Sequence, residues 1–273
     1  MPLKFTKMQA TGNDFVVVDN RDGALGIDEM VRLTPTLCDR KLGIGADGTL
    51  FLCKSDKFDF TMVYRNADGS DAGMCGNGGR AISLFACRAG LGDRLRFDVH
   101  DVPYSAQVDG EYVTLYFDGL TCIPRIHHEG DEQIFEIFTG TEHIVVPVSQ
   151  AFHDDIQLIR SRGRELRYSE LFAPKGTNVN FCTFKPGNTT VLSTYERGVE
   201  DLTLACGTGS IATAIVAAHI ANAPADEMGT NWTIQSPGGM LHVSFKRNTT
   251  TGAYFDIRLS GEAKIVFEGS IDV

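Results

Sequence analysis

Two cysteines sit in nearly the same six-residue setting, 131 residues apart: Met74-Cys75-Gly76-Asn77-Gly78-Gly79 and Ala205-Cys206-Gly207-Thr208-Gly209-Ser210. Each segment opens a run with helical spacing. The first amides of a helix lack internal partners and carry the positive end of its dipole. Glycines there let an anion approach the backbone closely, as P-loops admit a phosphate. The same field favours thiolate over thiol. Each turn therefore combines a carboxylate cradle with an activated sulfur. Two such turns suit inversion at an α-carbon, in which a thiolate removes a proton from one face and a thiol delivers one to the other. Charge developing on the substrate carboxylate would be met by the same backbone amides, in a site closed to water.

The remaining cysteines, Cys38, Cys53, Cys87, Cys122 and Cys182, lack that setting and read as small buried hydrophobes. The stretch Gly43-Ile44-Gly45-Ala46-Asp47-Gly48 has the spacing of a dinucleotide fingerprint. It follows a helical run and precedes a strand-like one, the reverse of the order that fingerprint requires. Nothing in the chain has the spacing of a zinc or other metal-ligand cluster. Nine residues before each paired cysteine lies a polar recognition candidate, Asn66 in the first half and Arg197 in the second.

Helices must carry the two turns, and strands must hold those helices. Gly79 to Ala89 and Gly209 to about Asn222 have helical spacing, as does Ile27 to Leu42. The helix from Gly209 is apolar around nearly its whole circumference, so it must be enclosed rather than laid on a surface. Runs rich in Val, Phe, Tyr and Leu mark strands at Phe15–Asp19, Gly48–Cys53, Phe58–Tyr64, Arg94–Val99 and Tyr112–Phe117. After a break near Asp118 to Arg125 the grammar recurs, with strands at 135–137, 144–148, 180–184, 190–195, 232–235, 241–245, 254–260 and 263–267. Many short strands with few helices indicate an α+β fold of curled, mostly antiparallel, barrel-like sheets. The repeated cysteine turn points to two similar halves related by a pseudo-twofold. The first spans 1–120 and carries Cys75, joined by a final strand at about 265–273. The second spans 121–264 and carries Cys206.

The formal net charge of −10 over 273 residues excludes a nucleic-acid or anionic-membrane surface, which needs concentrated Lys and Arg. No stretch is long and apolar enough to span a bilayer, and the N-terminus lacks the pattern of a signal peptide. Seven cysteines, an odd number without framework spacing, fit a reducing, cytoplasmic setting. A small amino-acid substrate is the expected partner, with a homodimer as the candidate assembly.

Taken together, Thr11-Gly12-Asn13-Asp14-Phe15, Arg65-Asn66-Ala67-Asp68-Gly69-Ser70, Met74-Cys75-Gly76-Asn77-Gly78 and Glu196-Arg197-Gly198 with Ala205-Cys206-Gly207-Thr208-Gly209 resemble the diaminopimelate epimerase family. The motifs fall in the family's order and reach Ser236-Pro237-Gly238-Gly239. The resemblance implies two similar domains, each a curled sheet around a central helix, with the active site between them and neither pyridoxal phosphate nor metal in use. It implies that Cys75 and Cys206 are the acid/base pair. Gly76, Asn77, Gly207 and Thr208 would cradle the carboxylate at the reacting centre. Asn13, Asn66, Asn178, Glu196 and Arg197 would read the far end of the substrate, where a paired acid and base suit an ammonium and a carboxylate. His143 matches a histidine usual in the family, as a contact or as a satisfied structural residue.

Three positions, in two places, depart from the family pattern. Members commonly carry Gly-Asn-Pro-His where this chain has Gly140-Thr141-Glu142-His143, and many have Gln where it has Gly48. The implied reaction is interconversion of LL- and meso-2,6-diaminoheptanedioate, a step toward lysine and peptidoglycan. Thr141-Glu142 keeps open a racemase of another amino acid, such as histidine, on the same fold. A non-catalytic module that binds anions at the helix starts alone is a third reading.

Overall fold

Alternating apolar residues punctuated by Gly, Asp and Asn build strands, and the few continuous apolar runs build enclosed helices. A computed structural model describes residues 2–130, 132–222 and 230–272. The chain divides into two units, Met1–Asp118 with Ser260–Val273, and Gly119–Leu259.

In the first unit β1 (Leu3–Ala10) and β2 (Asn13–Asn20) form a hairpin, followed by α1 (Ile27–Cys38), β3 (Gly48–Cys53), β4 (Phe60–Asn66), β5 (Asp71–Ala72), α2 (Gly76–Ala86), β6 (Arg94–Val99), β7 (Val102–Asp109) and β8 (Tyr112–Phe117). The second unit repeats the sequence of elements: β9 (Arg125–Glu129), β10 (Glu132–Phe138), β11 (Glu142–Pro147), α3 (Ile156–Arg167), β12 (Asn178–Lys185), β13 (Thr189–Glu196), β14 (Asp201–Thr203), α4 (Gly207–Ile220), β15 (Thr230–Ser236) and β16 (Gly239–Arg247). β17 (Tyr254–Glu262) then leads to β18 (Lys264–Ile271), which pairs antiparallel with β1.

The pairings repeat as well. β1–β2, β3–β4 and β4–β5 are antiparallel in the first unit, as are β10–β11, β12–β13 and β13–β14 in the second. β2–β3 and β4–β6 are parallel, matched by β11–β12 and β13–β15. Parallel neighbours need a long crossover, and α1, α2, α3 and α4 supply the four. The sheets are therefore largely antiparallel, with parallel pairs wherever a helix intervenes.

In the first unit Val16, Val18 and Phe51 share a core with Met30, Leu33 and Leu37 of α1. Alternation turns Leu50 to the opposite face, where a substituent on Gly78 of α2 would lie 3.2 Å from it. The sheet is thus apolar on both faces, α1 covering one and α2 the other. α4 is buried from Ile211 to Ala218, as its all-round apolar sequence requires.

Several boundaries differ from the sequence reading. α2 and α4 begin at Gly76 and Gly207, two or three residues earlier than expected, because each cysteine caps its helix. α1 stops at Cys38 rather than Leu42, where Gly43 presses against the Thr36 carbonyl so closely that a Cβ would lie 2.0 Å from it. α3, whose buried residues are Ile159, Gly163 and Leu166, has no strong helical signal in the sequence, because its apolar stripe is thin and contains a glycine. Gly163 is there for packing, since a Cβ would lie 2.6 Å from that of Tyr195.

Candidate active site

Both cysteines cap their helices through sulfur. Cys75 (φ −114°, ψ 120°) and Cys206 (φ −120°, ψ 116°) share one extended conformation. The Gly78 N–H donates to Cys75 Sγ at 3.4 Å, and the Gly209 N–H donates to Cys206 Sγ at 3.4 Å. A Ser or Asp cap accepts from the same backbone position. Here the acceptor is sulfur, and a donor hydrogen bond to sulfur favours its charged form. Neither helix carries an acidic residue in its first turn, so the positive end of each dipole stays available to a ligand.

Around Cys75 the first unit arranges amides. The Cys75 thiol donates to Asn13 Oδ1 at 3.8 Å. Asn13 Nδ2 donates to Asp47 Oδ2 at 2.6 Å, which turns its oxygen toward the sulfur. Arg40 bridges Asp14 and Asp47, and Lys7 pairs with Asp14 at 2.6 Å and donates to the Gly45 carbonyl. Burial alone would push Asp14 up, but hydrogen bonds and charge from Arg40 and Lys7 bring it down to about 2. The Gly-rich loop before β3 is thus an ionic brace for Asn13. Asn77 is buried, and its Oδ1 accepts from Arg80 Nη2 at 2.9 Å. Arg80 is itself fully buried and also donates to Thr11 Oγ1 at 2.8 Å and the Gly76 carbonyl at 3.2 Å. Desolvation pushes it down to about 10, so it stays charged at neutral pH. Asn66 ends β4 in a tight turn, its Nδ2 donating to Ser70 Oγ at 3.0 Å. In register, Phe15 faces Gly48 and Gly48 faces Asn66. A Cβ on Gly48 would lie 2.6 Å from the Tyr64 ring and 2.5 Å from the Arg65 carbonyl. The Tyr64 ring therefore fills the space in which a longer side chain would begin, and this chain cannot use position 48 to read a ligand.

Around Cys206 the second unit arranges a directional chain. The Thr194 hydroxyl donates to Asn180 Oδ1 at 3.0 Å, and Asn180 Nδ2 donates to His143 Nδ1 at 3.0 Å and to the Ile144 carbonyl at 2.9 Å. With Nδ1 accepting, the ring proton lies on Nε2, which donates to Thr208 Oγ1 at 2.9 Å. That leaves the Thr208 proton for Cys206 Sγ, 3.6 Å away. His143 is fully buried, and desolvation with the nearby Arg197 charge pushes it down to about 3. It is neutral and fixed in one tautomer.

Glu196 ends β13, and Arg197 opens the turn after it. Asn178 holds this turn: its Nδ2 donates to the Glu142 carbonyl at 2.9 Å and its Oδ1 accepts from the Arg197 N–H at 2.9 Å. The Arg197 guanidinium donates to Glu142 Oε2 at 2.9 Å and Thr141 Oγ1 at 2.7 Å. Thr141 and Glu142, where the family pattern is broken, thus meet the arginine singled out from sequence.

A family model described as diaminopimelate epimerase matches residues 5–104 and 135–266. Both cysteine caps and the Glu196-Arg197 turn lie inside it. The chain belongs to the diaminopimelate epimerase family. It is 36% identical over 271 residues to the diaminopimelate epimerase of Flavobacterium psychrophilum, covering 98% of this chain and 100% of that one. It is 37% identical over 287 residues to that of Archaeoglobus fulgidus, covering 98% and 96%. Among solved structures it resembles a Bacillus anthracis phenazine biosynthesis protein of the PhzF family, with a TM-score of 0.78, 14% identity and full coverage of both chains. It also resembles a hydroxyproline epimerase from Agrobacterium vitis, with a TM-score of 0.71, 12% identity and coverage of 99% and 92%. These likenesses concern the fold.

Within this epimerase-family chain the first unit positions Asn13, Asn66, Cys75, Gly76 and Asn77, and the second Asn178, Glu196, Arg197, Cys206, Gly207 and Thr208. Sequence reasoning missed Arg80, Asp47, Asn180, Thr194 and Lys175. Arg80 had a signal, a charge five residues into an enclosed helix. Asn180 had one too, an amide at the head of the strand expected at 180–184. Among the described residues no three His, Cys, Asp or Glu side chains gather as a metal cluster, and none of their helices is long and apolar enough to cross a membrane.

Proposed function

We propose that the protein interconverts LL- and meso-2,6-diaminoheptanedioate without a cofactor, in the cytoplasm, with Cys75 and Cys206 as a two-base pair. One sulfur, as thiolate, takes the α-proton; the other, as thiol, gives its proton to the opposite face. The sulfurs exchange protonation states with each turnover, so the reverse reaction uses the same groups with roles exchanged. Backbone amides at Gly76, Asn77, Gly207 and Thr208 receive the charge that develops on the reacting carboxylate. Asn13, Asn66, Asn178, Glu196 and Arg197 hold the distal amino-acid group, directly or by fixing one another.

The matched caps support this reading above all: two sulfurs in one conformation, each accepting from the third residue beyond it at 3.4 Å. An anion-binding module needs the helix starts but not the sulfurs. Incubation with LL-diaminopimelate in deuterated water is the test. The proposal expects α-deuterium in the meso product; no incorporation would sink it.

A further inference from the structure

The Arg197 guanidinium already holds a carboxylate of its own chain. One nitrogen donates to Glu142 Oε2 at 2.9 Å and the Gly176 carbonyl at 3.3 Å, and the other donates to Thr141 Oγ1 at 2.7 Å. The second Glu142 oxygen accepts from Lys175 Nζ at 3.0 Å. Glu142 is presented firmly. It is the first residue of β11, its carbonyl is held by Asn178, and it precedes the fully buried His143. Nor can it leave by protonation. Burial would raise it, but hydrogen bonds from Lys175 and Arg197 hold it down at about 2.

We infer that Glu142 is the specificity-determining residue of the distal pocket, its carboxylate occupying the part of Arg197 that a substrate's far carboxylate would take. The inference rests on the proposed role of Arg197 as reader of that far end. Two consequences follow from charge. An incoming carboxylate must share Arg197 with a like charge or displace it toward Lys175, which weakens its binding. Arg197 and Lys175 against Glu142 also leave this cluster one net positive charge, so it draws a lone anion less strongly than the two cations alone would. A proline, as the family pattern has at this position, would leave that balance one positive charge higher.

Calorimetric titration of wild type and Glu142→Gln with meso-diaminopimelate and with L-lysine, which lacks the far carboxylate, tests this. Glu142→Gln keeps the shape and removes the charge. It should bind diaminopimelate about tenfold more tightly than wild type, the scale of one partly exposed charge pair, and bind L-lysine no more tightly. Glu142→Asp keeps the charge but shortens its reach. It should shift diaminopimelate affinity the same way by a smaller factor, and it carries the test if Glu142→Gln fails to fold. Unchanged or weaker diaminopimelate binding in the variants overturns the inference, as does absence of binding in wild type and variants alike. The titration needs no turnover, so a wild type that exchanges no deuterium would sink the proposed reaction while leaving this comparison readable.

Discussion

The starts of α2 and α4 use the same backbone device on different supports. Each has a cysteine cap in one conformation and a glycine three residues later whose N–H reaches the sulfur. Beneath Gly78 lie Leu50 and Met62, hydrocarbon that can shift; beneath Gly209 lies Asn180, fixed by Thr194, His143 and the Ile144 carbonyl. The residue that steers the polar side chain after each cysteine also differs. Arg80, a buried cation, holds Asn77, whereas neutral His143 holds Thr208. The position in α4 that matches Arg80 is Ile211, buried and apolar. Symmetric chemistry therefore asks only that the caps agree, and the layers behind them are free to diverge.

The caps should be equivalent, and their removal should have the largest effect. Cys75→Ser and Cys206→Ser are each expected to lower deuterium exchange about 10²- to 10⁴-fold, the range lost with a general acid or base. A large loss from only one of them would break the symmetry. The glycines should not be equivalent. A Cβ at position 209 would lie 2.4 Å from Asn180 Oδ1 and 3.2 Å from the Cys206 sulfur, whereas at position 78 its nearest contacts are 3.2–3.5 Å, two of them to flexible side-chain ends. Gly209→Ala should cost about 1–3 kcal/mol in chemical denaturation, and Gly78→Ala under about 1 kcal/mol. Equal costs would mean that Asn180 is as yielding as Leu50.

Acid should separate the units further. His143 lies at about 3 in the fold against an ordinary 6.5, so the unfolded chain binds its proton first as pH falls. Its contribution is whole above pH 6.5 and is lost between 6.5 and 3, by about 2 kcal/mol at pH 5. Asp14, depressed to about 2 in the first unit, contributes above its ordinary 3.8 and loses that only as pH falls toward 2. The sole tryptophan, Trp232, lies buried in the second unit. Its fluorescence should report loosening between pH 6 and 4, before amide hydrogen exchange rises in β1–β4. His143→Gln should shrink that first phase, leaving what His153 and His219, both also held down by burial in this unit, contribute. Simultaneous loss in both units would show that His143 is not what limits the second.

Much of the fold was legible because its signals are local. Gly48–Cys53, Arg94–Val99 and Tyr112–Phe117 are strands at the residues expected, since each is an apolar run bounded by breakers. α3 was not legible, because three buried positions in twelve residues are too thin a stripe to stand above a polar background. In the site, Cys75 and Cys206 announced themselves by repetition. Asp47, Asn180 and Lys175 did not, because their importance lies in what they hold: Asn13, His143 and Glu142 are far from them in the chain.

The sequence by itself determined that two Cys-Gly-x-Gly turns open two enclosed helices, since glycine placement and apolar runs are properties of neighbouring residues. It also marked Thr141-Glu142 as a departure from the family pattern. Only the tertiary structure decided what these features face. The sulfurs accept from backbone amides because the extended φ and ψ of each cysteine aim them there. Tyr64 excludes a side chain at Gly48 because strand pairing sets its ring at that spot. Glu142 meets Arg197, 55 residues away, because β11, β12 and β13 lie side by side. Contacts between distant residues depend on register and packing, which no local pattern encodes.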